Sequence, residues 1–333
     1  MPSFKRYEVH TLSTDFRQAT RLVQEPELPA ATPGFVVVQN RYVGINATDI
    51  NVTNGAYTPT PPPFGCGLDA VGVVVAVGEG VTNVRVGDAV AYRKLGAFAE
   101  YVDVDATHLI PVPEAAKEVL PLLVCGASAS IALEVVGQMK SNETVLVTAA
   151  AGGTGQFVVQ LAKLAGNHVI GTTSSDEKAD VLKQLGCDRV INYNKENIAD
   201  VLKSEYPKGI DLVFETVGGE VFKAAVDNIA LHGRVILFGF ISNYADGGKS
   251  DPLRFMEVGP TLLQRSASVR GFISGNHREH FAPHMKKLMT LIHDGKLTPG
   301  VDAKVFEGLE QIPLAIDYLY ERKNIGKLVV KLA

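Results

Sequence analysis

A glycine-rich turn between an apolar run and an amphipathic run is the part of this sequence best suited to chemistry. Val145–Thr148 is apolar, Ala149–Gly155 is small and glycine-rich, and Gln156–Lys163 has helical periodicity. In such a strand–turn–helix, small residues let backbone amides approach a pyrophosphate, and the helix N-terminus adds N–H donors and a positive dipole end. We therefore predict a dinucleotide site, with a tight turn that binds no ligand as the alternative. The residues expected to bind there are Ala150, Gly152, Gly153, Thr154 and Gly155.

The segment after the next apolar run decides which dinucleotide is expected. NADH sites place an acid there to bond the ribose 2′-hydroxyl, but this chain has hydroxyl side chains and one cation. Hydroxyls and an ammonium suit a 2′-phosphate, so NADPH is predicted. Alternatively, Ser174 and Asp176 cap the next helix while Lys178 is solvated, and both roles can coexist. The residues expected to read the phosphate are Thr173, Ser174, Ser175, Lys178 and Tyr193.

The elements that position these residues divide the chain into two parts. Residues 1–125 alternate short β-like runs with Gly, Pro and Asn turns, which predicts a mostly antiparallel β domain. From about 126, apolar runs alternate with helical patterns, which indicates a parallel sheet covered on both faces. The domains are expected to be 1–126 with 276–333, and 127–275. The expected strands of the second domain are Val145–Thr148, His168–Thr172, Arg189–Ile191, Asp211–Phe214, Gly233–Gly239 and Ser268–Ile273. The expected helices are Ala127–Gly137, Glu177–Leu185, Asn197–Glu205, Glu220–Ile229 and one near 278–294.

Composition excludes some classes of protein. The chain has 333 residues, 46% hydrophobic and 20% charged, with a net charge of −4 and no basic block, which argues against nucleic acid as the main partner. No apolar run is expected to reach the ~18 residues of a membrane span, and the polar N-terminus shows no secretory signal. The cysteines Cys66, Cys125 and Cys187 are far apart, which favours free thiols in a reducing, cytoplasmic compartment.

Several motifs resemble those of the medium-chain dehydrogenases and reductases. They are Val43–Asp49, Gly65–Val73 and Val86–Val90, followed by the glycine turn and Asn324–Val329, so the resemblance covers nearly the whole chain. It implies an α/β protein with a GroES-like β-rich catalytic domain and a Rossmann domain, which is a doubly wound parallel sheet. It also implies NADPH in the cleft between the domains and pairing of the last Rossmann strands in a homodimer.

The catalytic zinc set of that superfamily is missing from this sequence. Zinc members carry a Cys-His-Cys set, whereas this chain has Asn46, Leu68 and Cys125 at the corresponding positions. One thiolate cannot build a catalytic zinc site, which needs about three protein ligands, and Arg93–Gly96 is too short for the structural zinc loop. No metal is therefore predicted. Without a Lewis acid, hydride transfer to an electron-poor acceptor is favoured over alcohol oxidation.

The chain is most similar to the zinc-free quinone oxidoreductase branch, and within it to prostaglandin reductases of the 15-oxoprostaglandin 13-reductase type. The nicotinamide is then expected between Asn46 and the Gly126–Ser128 turn, although Asn46 and Asn324 could instead satisfy turn backbone groups. The cofactor residues implied by the resemblance are Asn46, Ser128, Val217, Gly218, Phe238, Phe240, Ile241, Phe272, Ile273 and Asn324.

The implied reaction is conjugate reduction of an enone, such as a 2-alkenal or a 15-oxo-prostaglandin, or reduction of a quinone. Charge develops on the carbonyl oxygen and must be stabilised. The candidate catalytic residues are Asn46, Tyr57, Ser128 and Tyr244, the last in a loop similar to the Ile-Ser-x-Tyr loop of prostaglandin reductases. A solvent proton is the alternative.

Two further expectations concern the surroundings of the reaction. Asp49 either orients Asn46 or is an ordinary turn acid, while Thr58–Phe64 and Tyr244–Ser250 are expected to border the substrate mouth. The competing function is that of a redox-inactive NADPH-binding protein with a structural or sensing role.

Overall fold

The computed structural model of the protein describes residues 3–57, 61–244 and 255–332. In chain order, the strands of these residues are β1 (Phe4–Val9), β2 (Thr20–Glu25), β3 (Phe35–Ile45), β4 (Phe64–Gly65), β5 (Asp69–Val77), β6 (Ala89–Arg93), β7 (Tyr101–Asp105), β8 (Ile110–Pro111), β9 (Thr144–Val147), β10 (His168–Thr173), β11 (Arg189–Asn192), β12 (Ile210–Glu215), β13 (Ile229–Leu237), β14 (Ser268–Gly271), β15 (Phe306–Glu307) and β16 (Leu328–Lys331). The α-helices are α1 (Phe16–Ala19), α2 (Asp49–Thr53), α3 (Ala127–Ile131), α4 (Gly153–Leu164), α5 (Asp176–Gln184), α6 (Ile198–Glu205), α7 (Gly219–Asp227), α8 (Phe255–Arg265), α9 (Phe281–His293) and α10 (Ile312–Tyr320).

The first compact unit, Met1–Val124 with Val301–Ala333, is rich in β structure. Its larger sheet has the order β15-β16-β3-β5-β6-β8 with β7 also paired to β3, and its smaller sheet has the order β2-β1-β4. Apart from the parallel β15–β16 pair, these pairings are antiparallel. Alternate residues of β3, such as Val36 and Val38, are fully buried in the core. The prediction of a mostly antiparallel β domain is confirmed.

The second unit, Cys125–Gly300, is built on a six-stranded sheet. The strand order is β11-β10-β9-β12-β13-β14, and every pairing is parallel. The central strand β9 is almost wholly buried, as expected for a parallel sheet that is covered on both faces. The chain winds outward from β9 in one direction and then from β12 in the other, so the order reverses between these two strands. In such doubly wound sheets, ligands bind at the carboxyl ends of the strands near this reversal.

The two units divide the chain differently from the expected domain boundaries. The second unit continues to Gly300, beyond the expected end at 275. The cause is local: α9 packs on α3, and Gln160 of α4 bonds the backbone of Thr298 twice. Its Nε2 donates to the carbonyl oxygen at 3.0 Å and its Oε1 accepts from the amide at 2.8 Å.

The predicted helix Ala127–Gly137 is only partly α-helical. α3 is flanked by wide π-helical turns over Leu122–Gly126 and Ala132–Val136. Among the described residues, the helical run Lys117–Val136 is long and apolar enough to cross a membrane, but 72% of its most apolar window is buried inside the fold. The expectation that no such run exists was therefore wrong. The burial is that of a core helix.

Candidate active site

The carboxyl edge of the parallel sheet gathers most of the predicted cofactor residues. Each strand of the second unit ends at this edge, and each strand end is followed by at least one of them. The residues are Ala150, Gly152, Gly153, Thr154 and Gly155 after β9; Thr173, Ser174, Ser175 and Lys178 at or after the end of β10; Tyr193 after β11; Val217 and Gly218 after β12; Phe238, Phe240 and Ile241 after β13; and Phe272 and Ile273 after β14.

The glycine turn brings the backbone of α4 against the end of β9. A Cβ on Gly155 would lie 2.5 Å from the carbonyl oxygen of Ala150 and 2.6 Å from that of Ala149, so a larger residue does not fit. The turn is tied to the neighbouring strand because the amide of Ala150 donates to the carbonyl oxygen of Thr172 at 3.0 Å. α4 then begins at Gly153, and the first amides of a helix have no acceptor within the helix. This arrangement forms an anion cradle.

The end of β10 holds a buried hydroxyl without a protein partner. Thr173 is 3% exposed, and its Oγ1 has no hydrogen-bond partner among the residues that the structure describes. An unsatisfied buried hydroxyl costs free energy unless a ligand bonds it. Its position is the one at which dinucleotide folds recognise the adenine ribose. The donor chemistry of this edge therefore fits a dinucleotide.

The next turn resolves the alternative that was open for the hydroxyl cluster. Ser175 caps α5, its Oγ accepting from the amide of Lys178 at 3.3 Å, so the cap is Ser175 rather than Ser174 or Asp176. Asp176 instead accepts from Lys195 Nζ at 2.5 Å and Asn192 Nδ2 at 3.0 Å. Lys178 is only 8% exposed, which contradicts the interpretation that it is solvated.

A buried carboxyl group shapes the loop after β12, and the sequence analysis missed it. Glu215 is fully buried, and its Oε1 accepts from the amides of Val217 at 2.9 Å and Gly218 at 3.1 Å. Burial raises the pKa of Glu215 to about 7, against the lowering effect of these hydrogen bonds. The loop after β12 also holds the loop after β13, because the amide of Ile241 donates to the carbonyl oxygen of Thr216 at 3.0 Å. Glu215 thus fixes backbone at the reversal of strand order.

Tyr244 acts as a support for the turn that precedes it. It is 4% exposed, its hydroxyl accepts from the amide of Phe240 at 3.2 Å, and the two rings pack edge to face at 5.0 Å. Phe240 itself is 44% exposed. Of the predicted substrate-border segment Tyr244–Ser250, residues 245–250 lie outside the described residues.

The first unit contains a buried polar network around Asn46. Its Nδ2 donates to Asp69 Oδ1 at 2.7 Å and to the Gly44 carbonyl oxygen at 3.3 Å, and its Oδ1 accepts from Lys327 Nζ at 2.5 Å. Both amide N–H groups are thus used inside the unit. This geometry favours the alternative in which Asn46 satisfies its own surroundings over a role as donor to a substrate.

Two charged members of this network were not predicted as functional residues. Lys327 and Asp69 form an ion pair with Nζ 3.2 Å from Oδ2, and their side chains are 1% and 0% exposed. Gly44 leaves space for them, because a Cβ there would lie 2.5 Å from Asp69 Oδ2 and 2.7 Å from Lys327 Cε. The available signal was a charge inside each apolar strand motif, Gly-Leu-Asp-Ala-Val and Gly-Lys-Leu-Val.

Asp49 is the second acid of the network. Its Oδ2 accepts from the amide of Asn46 at 2.8 Å. Asp49 therefore orients Asn46, which is the first of the two expectations for this residue. Burial raises the pKa of Asp49 to about 8, the Asn46 amide and Lys327 lower it, and Asp69 raises it further.

The remaining candidates are each placed within their own unit. Asn324 Nδ2 donates to the Gly326 carbonyl oxygen at 3.0 Å, which again favours the turn-satisfying alternative. Tyr57 is 40% exposed and follows α2, while residues 58–60 of the neighbouring segment lie outside the described residues. Ser128 lies in α3 and is 3% exposed.

The positions that correspond to the zinc set carry the expected side chains. Cys125 is buried, as are Cys66 and Cys187, and burial raises the pKa of the Cys66 and Cys187 thiols. Among the described residues, a group with metal-ligand chemistry does occur elsewhere, formed by His277, Glu279 and His280.

Comparisons with known proteins agree with this architecture. The family model of the alcohol dehydrogenase GroES-like domain matches residues 32–114, and that of the zinc-binding dehydrogenases matches residues 153–291. Prostaglandin reductase-3 of Mus musculus is 45% identical, covering 99% of this chain and 90% of its own length. A probable quinone oxidoreductase of Leishmania amazonensis is also 45% identical, covering 99% of this chain and 98% of its own. A crystal structure of Escherichia coli quinone oxidoreductase complexed with NADPH superposes with a TM-score of 0.83 at 26% identity, over 98% of this chain and 99% of that one.

Proposed function

Because the chain belongs to the medium-chain dehydrogenase/reductase superfamily, as a member of the group that contains prostaglandin reductase 3 and quinone oxidoreductases, we propose that it is an NADPH-dependent reductase of quinones or of the C=C bond of α,β-unsaturated carbonyls. The single observation that carries the proposal is the anion cradle between β9 and α4, beside the Thr173 hydroxyl, which has no hydrogen-bond partner in the described part of the chain. The E. coli relative that superposes on this chain binds NADPH, which supports the same cofactor here.

The residues of the sheet edge would hold the cofactor by three kinds of contact. The first amides of α4 would bond the pyrophosphate. Thr173, Ser175 and the ammonium of Lys178 would bond the ribose 2′-phosphate. The loops after β12 and β13, held in place by Glu215, would present backbone groups to the rest of the molecule. When bound, NADPH supplies a hydride to the electron-poor carbon of the acceptor.

The chain's own contribution to the chemical step is to orient the acceptor and to stabilise the oxygen on which charge develops. Asn46 is a weak candidate for that donor since its amide protons are already bonded. Tyr57 is the more exposed of the tyrosine candidates, at 40% against 4% for Tyr244. We propose that Tyr57 or water supplies the hydrogen bond, and that solvent supplies the proton after hydride transfer.

We also propose that this chemistry is independent of zinc. The positions of the superfamily's zinc set hold an amide, an isobutyl group and one thiol, and a single thiolate cannot hold a catalytic zinc ion. Turnover should survive prior treatment with a strong chelator. Loss of turnover on chelation, with recovery on adding zinc, would refute this part of the proposal.

The reaction is tested by mixing the full chain with NADPH and following its absorbance with 1,2-naphthoquinone, a 2-alkenal and a 15-oxo-prostaglandin in turn. Oxidation with at least one acceptor is expected. NADPH binding without oxidation by any acceptor would favour the redox-inactive binding protein instead.

Cofactor choice is tested with two variants at the 2′-phosphate end. Lys178→Ala should weaken NADPH binding by about 1.5–3 kcal/mol and leave NADH nearly unchanged. Lys183→Ala is the matched control, because Lys183 lies on the same helix but pairs with Asp180 at the surface. Thr173→Val should weaken NADPH without lowering thermal stability, since the hydroxyl has no partner among the described residues. Equal use of NADH and NADPH by the unmodified protein would contradict the assignment.

We further propose that the protein is a cytoplasmic homodimer. β14 pairs with β13 alone among the described strands, which leaves its outer edge open to a second copy. Met256 and Leu263 on α8 are 72% and 82% exposed in the single chain. Large apolar side chains that are exposed in this way are typical of residues that an interface with a second subunit buries. Light scattering should give twice the chain mass, and fractionation of cells should recover the protein with the cytosol.

A further inference from the structure

A cluster of imidazole and carboxylate groups lies between β14 and α9, where the function proposed above makes no use of it. The ligand atoms of His277, Glu279 and His280 all lie within 4.8 Å of one another. His277 and His280 are half-buried, whereas Glu279 is exposed. The segment Ser274–His280 is a 3₁₀ helix with a kink at His277 (φ −131°, ψ 36°). His277 therefore lies at the break between two short 3₁₀ turns, three residues before His280.

The distances suit a small transition-metal ion. Glu279 Oε1 lies 3.4 Å from His280 Nε2. Two ligands that each lie about 2.1 Å from a tetrahedral metal are separated by about 3.4 Å, so this pair already has the spacing of bound ligands. The ligand atom of His277 lies within 4.8 Å of the other two, so it has to move closer by at most about 1.4 Å to reach the same spacing.

We propose that His277, Glu279 and His280 form a binding site for a divalent transition-metal ion of the zinc class. Its ligands are not among the predicted cofactor residues, although His277 stacks on one of them, Phe272. Two imidazoles and one carboxylate select zinc, nickel or copper over magnesium and calcium, which prefer oxygen ligands. Three protein ligands leave one position for water.

The site has a packed support. The His277 ring stacks on Phe272 with centroids 5.4 Å apart and planes 12° apart. The His280 ring meets that of His284, whose Nδ1 is 2.7 Å from Ser130 Oγ. Neighbours that hold ligand rings in place raise metal affinity. A bound ion would in turn fix the turn between β14 and α9.

The test is calorimetric titration of the chelator-treated full chain with Zn²⁺, and separately with Mg²⁺. One Zn²⁺ ion per chain and no Mg²⁺ binding are expected. His277→Ala and His280→Ala should each weaken Zn²⁺ binding by at least the ~10–100-fold that outer-shell changes cost, and Glu279→Gln should weaken it less. His293→Ala, an exposed histidine at the end of α9, is the matched control and should bind like the unmodified protein.

Several outcomes would overturn the proposal. One is the absence of zinc binding in the unmodified protein, and another is undiminished binding by the double variant His277→Ala/His280→Ala. A third is loss of zinc with Cys125→Ser, which would assign the ion to the buried thiol. Circular dichroism of each variant separates loss of the site from loss of the fold. None of these readouts depends on NADPH turnover, so they stand apart from the test of the reductase.

Discussion

Replacing Lys327 by methionine should destabilise the first unit far more than an ordinary surface charge change. The ammonium lies 3.2 Å from Asp69 Oδ2, and both side chains are almost fully buried. At an effective dielectric constant of about 20, a pair at this distance attracts by about 5 kcal/mol. Methionine keeps the length of the side chain but removes the ammonium from Asp69, which then remains a buried carboxylate that still accepts from Asn46 Nδ2 at 2.7 Å. Removing one partner of a buried pair costs about 3–5 kcal/mol, which corresponds to a fall of on the order of 10 °C in Tm.

A double-mutant cycle isolates the ion pair from loss of packing. Lys327→Met, Asp69→Asn and the double variant are unfolded by urea and compared with the unmodified protein. The double variant should be more stable than Lys327→Met alone, because the neutral amide no longer needs a countercharge. Lys331→Met is the control on the same strand, where Lys331 and Glu307 lie 3.8 Å apart with side chains 46% and 68% exposed. It should change stability by less than about 1 kcal/mol.

Two results would refute this reasoning. The first is a loss for Lys327→Met no larger than that for Lys331→Met. The second is a double variant as unstable as the sum of its single changes, which would mean that the two charges do not interact.

Three further changes test other parts of the structure. Gly155→Ala should cost about 1–3 kcal/mol and weaken NADPH binding, because its Cβ would lie 2.5 Å from the carbonyl oxygen of Ala150; unchanged unfolding and cofactor titrations would contradict the close approach. Burial raises the pKa of Glu215 to about 7 from 4.5, so the stability present at low pH should fall as pH rises through that window, by up to about 1.4 kcal/mol per pH unit. Glu215→Gln should flatten this slope in thermal unfolding measured across it, and an unaltered slope would exclude the group. The same sign holds for Asp49, because burial raises its pKa to about 8, so stability should keep falling up to about pH 8. Asp49→Asn should remove this part of the slope, and an unchanged slope would show that the carboxyl is ionised across the whole window.

Local pattern was sufficient to predict the parallel sheet and its glycine turn. The expected strand Val145–Thr148 is observed as Thr144–Val147, and the expected helix Glu177–Leu185 as Asp176–Gln184. These elements are short, strongly apolar or amphipathic, and bounded by glycine or a capping serine, so their signals are local.

Other elements depend on context that a periodicity argument does not contain. α8 contains Pro260, a residue that normally argues against a helix interior. α10 is not among the expected helices, although Ile312, Ala315 and Ile316 have helical spacing and are buried. The apolar, β-like stretch Val301–Phe306 forms only a bridge at Val301 and the short strand β15.

The network of the first unit was the part of the site least accessible from sequence. Asn46 was singled out, but its partners Asp69 and Lys327 lie 23 and 281 residues away in the chain. Their contact arises because β16 pairs with β3 and β3 pairs with β5, a tertiary fact. Only these strand pairings show that Asn46 bonds polar groups of its own unit, which is the alternative to a contact with the cofactor.

In the turn after β9, the residue with a left-handed backbone conformation lies one position before Ala150, where the usual motif has its first glycine. Ala149, not a glycine, has a positive φ of 47° there, a region that costs a residue with a side chain about 1–2 kcal/mol. The alanine at position 150 has no such demand. A motif search that scores a turn by its number of glycines would therefore give this turn a low score, even though its backbone still brings α4 against the end of β9. Transferring such a turn from one enzyme to another therefore requires matching backbone dihedral angles rather than residue types.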